Sequence, residues 1–394
     1  MKSHLQNKVR EQLARGFTLI ELMISVSLAT LVGVLIYTVF IQQTQAYRVQ
    51  SDLGALQQNL RVGMEMLSRD IAMAGWGLGH DGATWGAGGT TAMGTGSVPG
   101  SPLYAIHIEE DFPLGSGKDA IEIVMMHPDR SMWAWTDTSA QGMECTTASI
   151  VFDADDAGQA ALYSGPVVSP GTHNRIMCHA PIHQGRPGSY LWSVAGPGVA
   201  GAVPVSVGNT ADFTAECESN LPTEMLCAPP VHVAYYIDNV ADGTGMGTAD
   251  LPVLYYVPDV TQASGAGGIG TYPSGTDIPI ALGIEDIQFE VCQGGAGSTG
   301  TDCELATSWT AGYDPTNVVA NSWSNLTAVR IHMVARTLRQ DYQRTAVSTP
   351  LDLDPNDTQI LTNPTADGFH RRVATTEVLV RNAVGTWQVL NSGW

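Results

Sequence analysis

The chain has 394 residues, enough for two or three ordinary domains or one large domain with an appendage. A net charge of -20 with only 14% charged residues argues against a nucleic-acid-binding protein. Gly, Ser and Thr stand in for the missing charge, as in a loop-rich, exported β protein rather than a cytosolic enzyme.

Charge is uneven along the chain. Residues 1–16 carry Lys2, Lys8, Arg10 and Arg15 against Glu11, or +3, which leaves -23 for the rest, with Lys118 as its only lysine. From Phe17 to Ile41 the only charge is Glu21. As a helix these 25 residues span about 37 Å, longer than a hydrocarbon core of about 30 Å. The basic residues before the span predict a cytoplasmic N-terminus, with everything after it across the membrane. No A-x-A-like site follows Ile41, so the segment reads as a retained helix rather than a secretory leader. Glu21 is costly in lipid, at roughly 2.5–3.5 kcal/mol near mid-bilayer, and calls for a partner. A cut after Gly16 would supply one. Phe17 would carry a free ammonium one helical turn from Glu21, in the same chain or in a neighbouring copy.

These residues carry a resemblance. RGFTLIELMISVSLATLVGVLI resembles the N-terminal segment of type IV pilins and pseudopilins: a basic leader ending in Gly, then Phe, then a Thr-Leu-Ile-Glu-Leu run. The resemblance implies cleavage between Gly16 and Phe17 by a prepilin peptidase and N-methylation of Phe17. It also implies that Glu21, the fifth residue after the cut, forms an assembly salt bridge to a neighbouring subunit's amine. Many major pilins carry a proline at the place of Thr38. None occurs here between Phe17 and Trp76, and Gly33 is the weakest backbone position in the span.

Residues 42–75 read as an amphipathic continuation. Val49, Leu53, Leu56, Leu60, Met64, Leu67, Ile71 and Ala74 mark one face, and Gln57, Gln58, Arg61, Glu65 and Arg69 the other. This predicts a helix laid on a sheet and ended by Gly75, Gly77 and Gly79. Residues 76–102 form a Gly-rich loop without the lysine of a phosphate loop, and GSGKD at 115–119 also lacks the spacing of one. Strands are predicted at 103–108, 119–126, 149–152, 231–238, 252–257, 284–292, 326–337, 372–382 and 385–390, with long loops at 164–230 and 258–277. One antiparallel sheet with large loop insertions is the expected head.

All six cysteines, Cys145, Cys178, Cys217, Cys227, Cys292 and Cys303, lie in the exported part, and no CxxC occurs. Disulfides are expected over a metal site. Closeness in sequence favours Cys217–Cys227 and Cys292–Cys303, leaving Cys145 with Cys178. No catalytic constellation is recognisable. His173, Cys178, His179 and His183 cluster, but Pro181 argues against the helix that a metal pair would need. DADDAG at 153–158 and LDLDPND at 351–357 lack the full ligand set of a calcium loop and read as solvated acidic loops. No metal and no cofactor is expected. Arg330, Arg336, Arg339, Arg344, Arg371, Arg372 and Arg381 gather late in the chain, either paired across strands or forming a docking face for an acidic partner.

LSRDIAMAGW, the YYID and LPVLYY pair, GIEDIQFEV, AVRIHMVAR and RRVATTEVLVRN resemble, in order, the PilW-type minor pilins. The expected class is α+β and pilin-like. It comprises a leader (1–16), a transmembrane and filament-core helix (17–41), an amphipathic helix (42–75) and a β-rich head (76–394). The resemblance implies a minor pilin that primes assembly at or near the pilus tip. Its partners would be major and minor pilins, the peptidase and a tip adhesin, and it would not be an enzyme. Its head would start in the periplasm, anchored in the bacterial inner membrane, and end on the cell surface. A type II secretion pseudopilin and a tip-located adhesive module are the alternatives.

Overall fold

The computed structural model describes residues 18–77, 83–85, 105–110, 112, 116–127, 132–135, 142–144, 149–152, 157–163, 175–183, 186–198, 201–204, 224–240, 251–258, 277–293, 303, 309–311, 326–338 and 369–380. The chain divides after Ala55 into two units. One continuous helix, α1 (Leu19–Met73), runs through the junction expected at 41/42. In the first unit its apolar side chains are exposed from Leu19 to Phe40.

In the second unit α1 buries Leu56, Leu60, Leu67 and Ile71, the face predicted by the spacing. Gly63 lies on the same face. A Cβ there would sit 3.1 Å from Leu254 and 3.3 Å from Met333, so glycine lets the helix lie close to two different strands at once. Asp70 is buried beside Ile71 and is satisfied by two donors. The Tyr235 hydroxyl donates to Oδ2 at 2.6 Å and Arg69 Nε to Oδ1 at 3.0 Å. Burial, and then the Asp70 charge, push the Tyr235 phenol far above its ordinary range. Gly75 and Gly77 end the helix at φ 72° and 77°. The turn then lies on the strand Ala120–Met126, with Gly75 N donating to Val124 O and Met126 N to Trp76 O, both at 2.9 Å.

The described strands, in chain order, are β1 (Ala83–Trp85), β2 (Ile106–Glu109), β3 (Ala120–Met126), β4 (Met132–Trp135), β5 (Gly142–Glu144), β6 (Ser149–Val151), β7 (Arg175–His183), β8 (Arg186–Ser193), β9 (Ala202–Pro204), β10 (Glu224–Ala228), β11 (Pro230–Val240), β12 (Leu251–Val257), β13 (Ile278–Leu282), β14 (Ile284–Gln293), β15 (Trp309–Ala311), β16 (Leu326–Arg336) and β17 (Arg371–Leu379). They form four sheets where the sequence suggested one. The first sheet, β13-β12-β11-β3-β2, and the second, β15-β14-β16-β17, are antiparallel. Together with α1 they enclose the main core, which includes Ile121, Ile123, Leu254, Phe289, Ile331 and Met333.

Two points join these sheets. At Gly283, φ 78°, N–H donates to Pro252 O in the first sheet while C=O accepts from Arg336 N in the second, each at 2.7 Å. At Asp119, N–H donates to Ile287 O and the carboxylate accepts from Phe289 N at 2.9 Å.

In the other two sheets, β1-β8-β7-β10-β4 and β5-β6-β9, β6 is the strand predicted at 149–152, β1 falls in the Gly-rich 76–102, β7 to β10 fall in 164–230, which was expected to be loop, and β4 and β5 were not foreseen. One of their pairs, β1 with β8, is parallel. The reason they exist is topological. β3 and β11 pair directly, with Met126 opposite Pro230. The described strands between 126 and 230 therefore leave the first sheet and pair with one another and with β1. Strands β7 and β8 lack clean alternation and β7 contains Pro181, which hid them. The expected strand 385–390 lies outside the described residues.

Candidate functional site

The first turn of α1 is built by two residues. Thr18 is the N-cap: its hydroxyl oxygen accepts from Glu21 N at 3.3 Å. Glu21 reaches back, its Oε2 accepting from Thr18 N at 3.1 Å and from the Thr18 hydroxyl at 3.0 Å. This is a reciprocal capping box that satisfies donors a helix start otherwise leaves open. The sequence reading missed Thr18, although Thr three residues before Glu is the pattern that announces such a box. Glu21 thus has an internal partner before it meets any other chain.

Beyond Glu21 the helix presents Leu, Ile, Val and Phe outward, and is long and apolar enough to cross a membrane. Its hydroxyls turn back on the helix. Ser25, Ser27, Thr30, Thr38 and Thr44 each donate to a carbonyl three or four residues earlier, at 2.7–2.9 Å. Such a surface suits lipid or the packed apolar helices of an assembly. Gly16 and Phe17 lie outside the described residues.

In the head, Cys292 bonds Cys303 as expected, but Cys178 bonds Cys227. This corrects the Cys217–Cys227 and Cys145–Cys178 pairings. Cys178 and Cys227 face each other across β7 and β10 with Cα atoms 4.0 Å apart, so sheet register decided the partner, not closeness in sequence. Cys145 and Cys217 lie outside the described residues. Cys178 is taken up by its disulfide and His179 lies beside it on β7, while the side chains of His173 and His183 lie outside the described residues. Among the described residues no group of His, Cys, Asp and Glu is placed to hold a metal. The two acidic loops, His173, Arg339, Arg344 and Arg381 fall outside the described residues, except for the end of the first loop.

The late arginines pair across strands. Arg330 meets Glu290 at 2.8 Å and Glu377 at 3.0 Å, and Arg371 and Arg336 share Glu285 at 2.6 and 3.6 Å. Arg372 is exposed.

Two carboxylates, the buried Glu122 and the half-buried Asp286, behave in opposite ways. Burial alone would push the Glu122 carboxyl up, but the imidazoles of His232 (3.3 Å) and His107 (3.8 Å) bring it down to about 2. Asp286 is pushed up to about 7 by burial, against the Gln288 amide and the charge of Lys118. A carboxyl raised in the folded state stabilises the fold below its unfolded value and loses that contribution as pH rises through its folded one. Asp286→Asn should therefore be more stable than wild type at pH 8, by on the order of 2 kcal/mol once partial exposure is allowed for, and melt at a higher temperature. The difference should vanish near pH 4. Thermal melts across that range check it.

Comparison with known proteins places these features. The family model for the type IV pilus-assembly protein W, PilW, matches residues 234–382, from β11 through β17. The prokaryotic N-terminal methylation motif matches residues 13–37. No curated protein matches the chain. Among solved structures, a type IV-like pilin from Thermus thermophilus is 10% identical over 83% of this chain and 96% of its own, with a TM-score of 0.34. A superposition that loose leaves the fold to be judged from the chain's own helix and sheets. An N-terminal methylation motif and a PilW segment on one chain, joined by a helix with an apolar, outward-facing start, make this a type IV pilin-like protein of the PilW kind, a structural rather than an enzymatic family.

Proposed function

We propose that the chain is a minor type IV pilin that primes filament assembly and resides at or near the tip. A prepilin peptidase removes residues 1–16, the Phe17 amine is methylated, and the helix waits in the inner membrane with its head in the periplasm. On assembly Glu21 exchanges its Thr18 contacts for the amine of a neighbouring major or minor pilin. The head then reaches the cell surface beside other minor pilins and a tip adhesin. The observation that supports this most is the joining of the methylation motif at 13–37 to the PilW segment at 234–382. Removing the chain from its cells tests the reading. Filaments should become scarce while the major pilin stays in the membrane. Normal filament numbers would overturn the priming role, and lost protein secretion with intact pili would favour a type II secretion pseudopilin.

A second reading rests on the insertion. The two extra sheets lie outside the PilW segment, and Cys178–Cys227 staples β7 to β10 within the larger of them. They are suited to adhesive contact at the tip. Because β3 and β11 already pair, residues 128–229 can be replaced by a short hairpin turn without disturbing the register of the first sheet. Cells carrying that variant should form normal filaments. If they also attach normally to surfaces, the insertion is not the adhesive element.

A further inference from the structure

The face of the second sheet that carries Arg330 and His332 is opposite the one that sends Ile331 and Met333 into the core. On it, His332 of β16 stands between Gln288 of β14 and Thr375 of β17 in direct register. Its Nδ1 lies 3.0 Å from Thr375 Oγ1, and its Nε2 lies 3.2 Å from Glu290 Oε2. The same Glu290 oxygen accepts from Arg330 at 2.8 Å, and Arg330 lies over the Trp309 ring at 4.0 Å. The His332 hydrogen bond, opposed by burial and reinforced by Arg330, holds the Glu290 carboxyl below its ordinary range.

The tautomer follows from these partners. An ionised carboxylate only accepts, so the His332 proton sits on Nε2. In the neutral ring the Nδ1 lone pair then faces Thr375, whose hydroxyl donates to it. His332 and Glu290 are buried, at 5% and 6% exposure, while Thr375 is exposed. The hydroxyl of an exposed threonine therefore rests against a base, and the base is oriented by a buried carboxylate. This is the order nucleophile, base, orienter.

We propose that Thr375 is a covalent modification site, an activated hydroxyl that accepts an acyl group from an activated ester or thioester. Thr375 Oγ bonds to the acyl carbon as its proton passes to His332 Nδ1. The bond to the leaving alcohol or thiol breaks, and that group takes the proton from the imidazole. One ester is exchanged for another, with no oxidation or reduction. The event is a single modification of a structural subunit rather than turnover, and it is independent of the assembly role.

The test exposes the full chain in detergent to p-nitrophenyl acetate and follows acetylation of each hydroxyl by peptide mass and fragmentation. General-base assistance at Thr375 should make it react roughly 100-fold faster than the other exposed hydroxyls of the head. His332→Gln, which keeps a polar side chain but removes the base, should erase that advantage. Thr375→Ser should keep it and Thr375→Val should remove it. Thr375→Ser and Thr375→Val alter only an exposed side chain, so the result stands even where His332→Gln folds poorly. Acetylation of Thr375 at the rate of other exposed hydroxyls, or at wild-type rate in folded His332→Gln, would reduce the arrangement to an ordinary cross-strand hydrogen bond.

Discussion

Glu21→Gln is expected to enter the membrane and be cleaved like wild type, yet to be nearly absent from filaments. The reasoning separates the two things Glu21 does. Within the chain it closes the capping box with Thr18, and a glutamine at that position can still accept from Thr18 N. Towards a neighbour it offers a negative charge to an amine in a water-poor bundle, and glutamine offers none. A hydrogen bond to a charged group in such surroundings is worth about 1.5–3 kcal/mol, which corresponds to a 10- to 100-fold loss of incorporation. Thr18→Val makes the opposite cut. It costs the helix start about 1 kcal/mol and leaves the charge in place, so its filaments should form with a modest deficit. Quantifying both variants in membranes and in sheared filaments checks the pair. Equal incorporation of Glu21→Gln and wild type would show that the charge has no part in assembly.

Gly283→Val should be the most damaging single change in the head. Gly283 turns at φ 78°, a region closed to β-branched residues, and its two backbone hydrogen bonds tie the first sheet to the second. A Cβ would stand 2.6 Å from the Arg336 carbonyl oxygen, a backbone atom that cannot swing aside. Left-handed strain and steric overlap together cost about 2–5 kcal/mol. That is a large share of the 5–15 kcal/mol that holds a typical domain. The variant should accumulate poorly, and the purified head should unfold at markedly lower denaturant. An unchanged midpoint would mean that the seam at Gly283 is not what joins the sheets.

The parts of the fold that follow a period were legible. Leu56, Leu60, Leu67 and Ile71 recur on one helical face, and the core does bury them. Strands β11, β12, β14, β16 and β17 alternate or run apolar for long enough to be seen. Of the insertion only the strand at 149–152 was legible, and the rest was not for the opposite reason. RIMCHAPIH and RPGSYLWS have no sustained alternation, and their pairing depends on residues far away in the chain. The Cys178–Cys227 bond shows the same limit, since its partners are 49 residues apart in sequence and adjacent only once β7 and β10 pair. At the helix start, Glu21 stood out because charge is rare there, whereas Thr18 was hidden by being an ordinary polar residue. Asp70 escaped notice because a carboxylate on an amphipathic helix is normally solvated, and the Tyr235 hydroxyl, far away in the sequence, joins Arg69 in satisfying it when buried.

The most direct measurement is the mass of the N-terminal peptide of the protein isolated from its native membranes. A peptide beginning at N-methylated Phe17 is the predicted result and puts the chain on the pilin processing route. A peptide still beginning near Met1, in cells with an active prepilin peptidase, would make Phe17–Ile41 a plain membrane anchor and contradict the assembly role of Glu21.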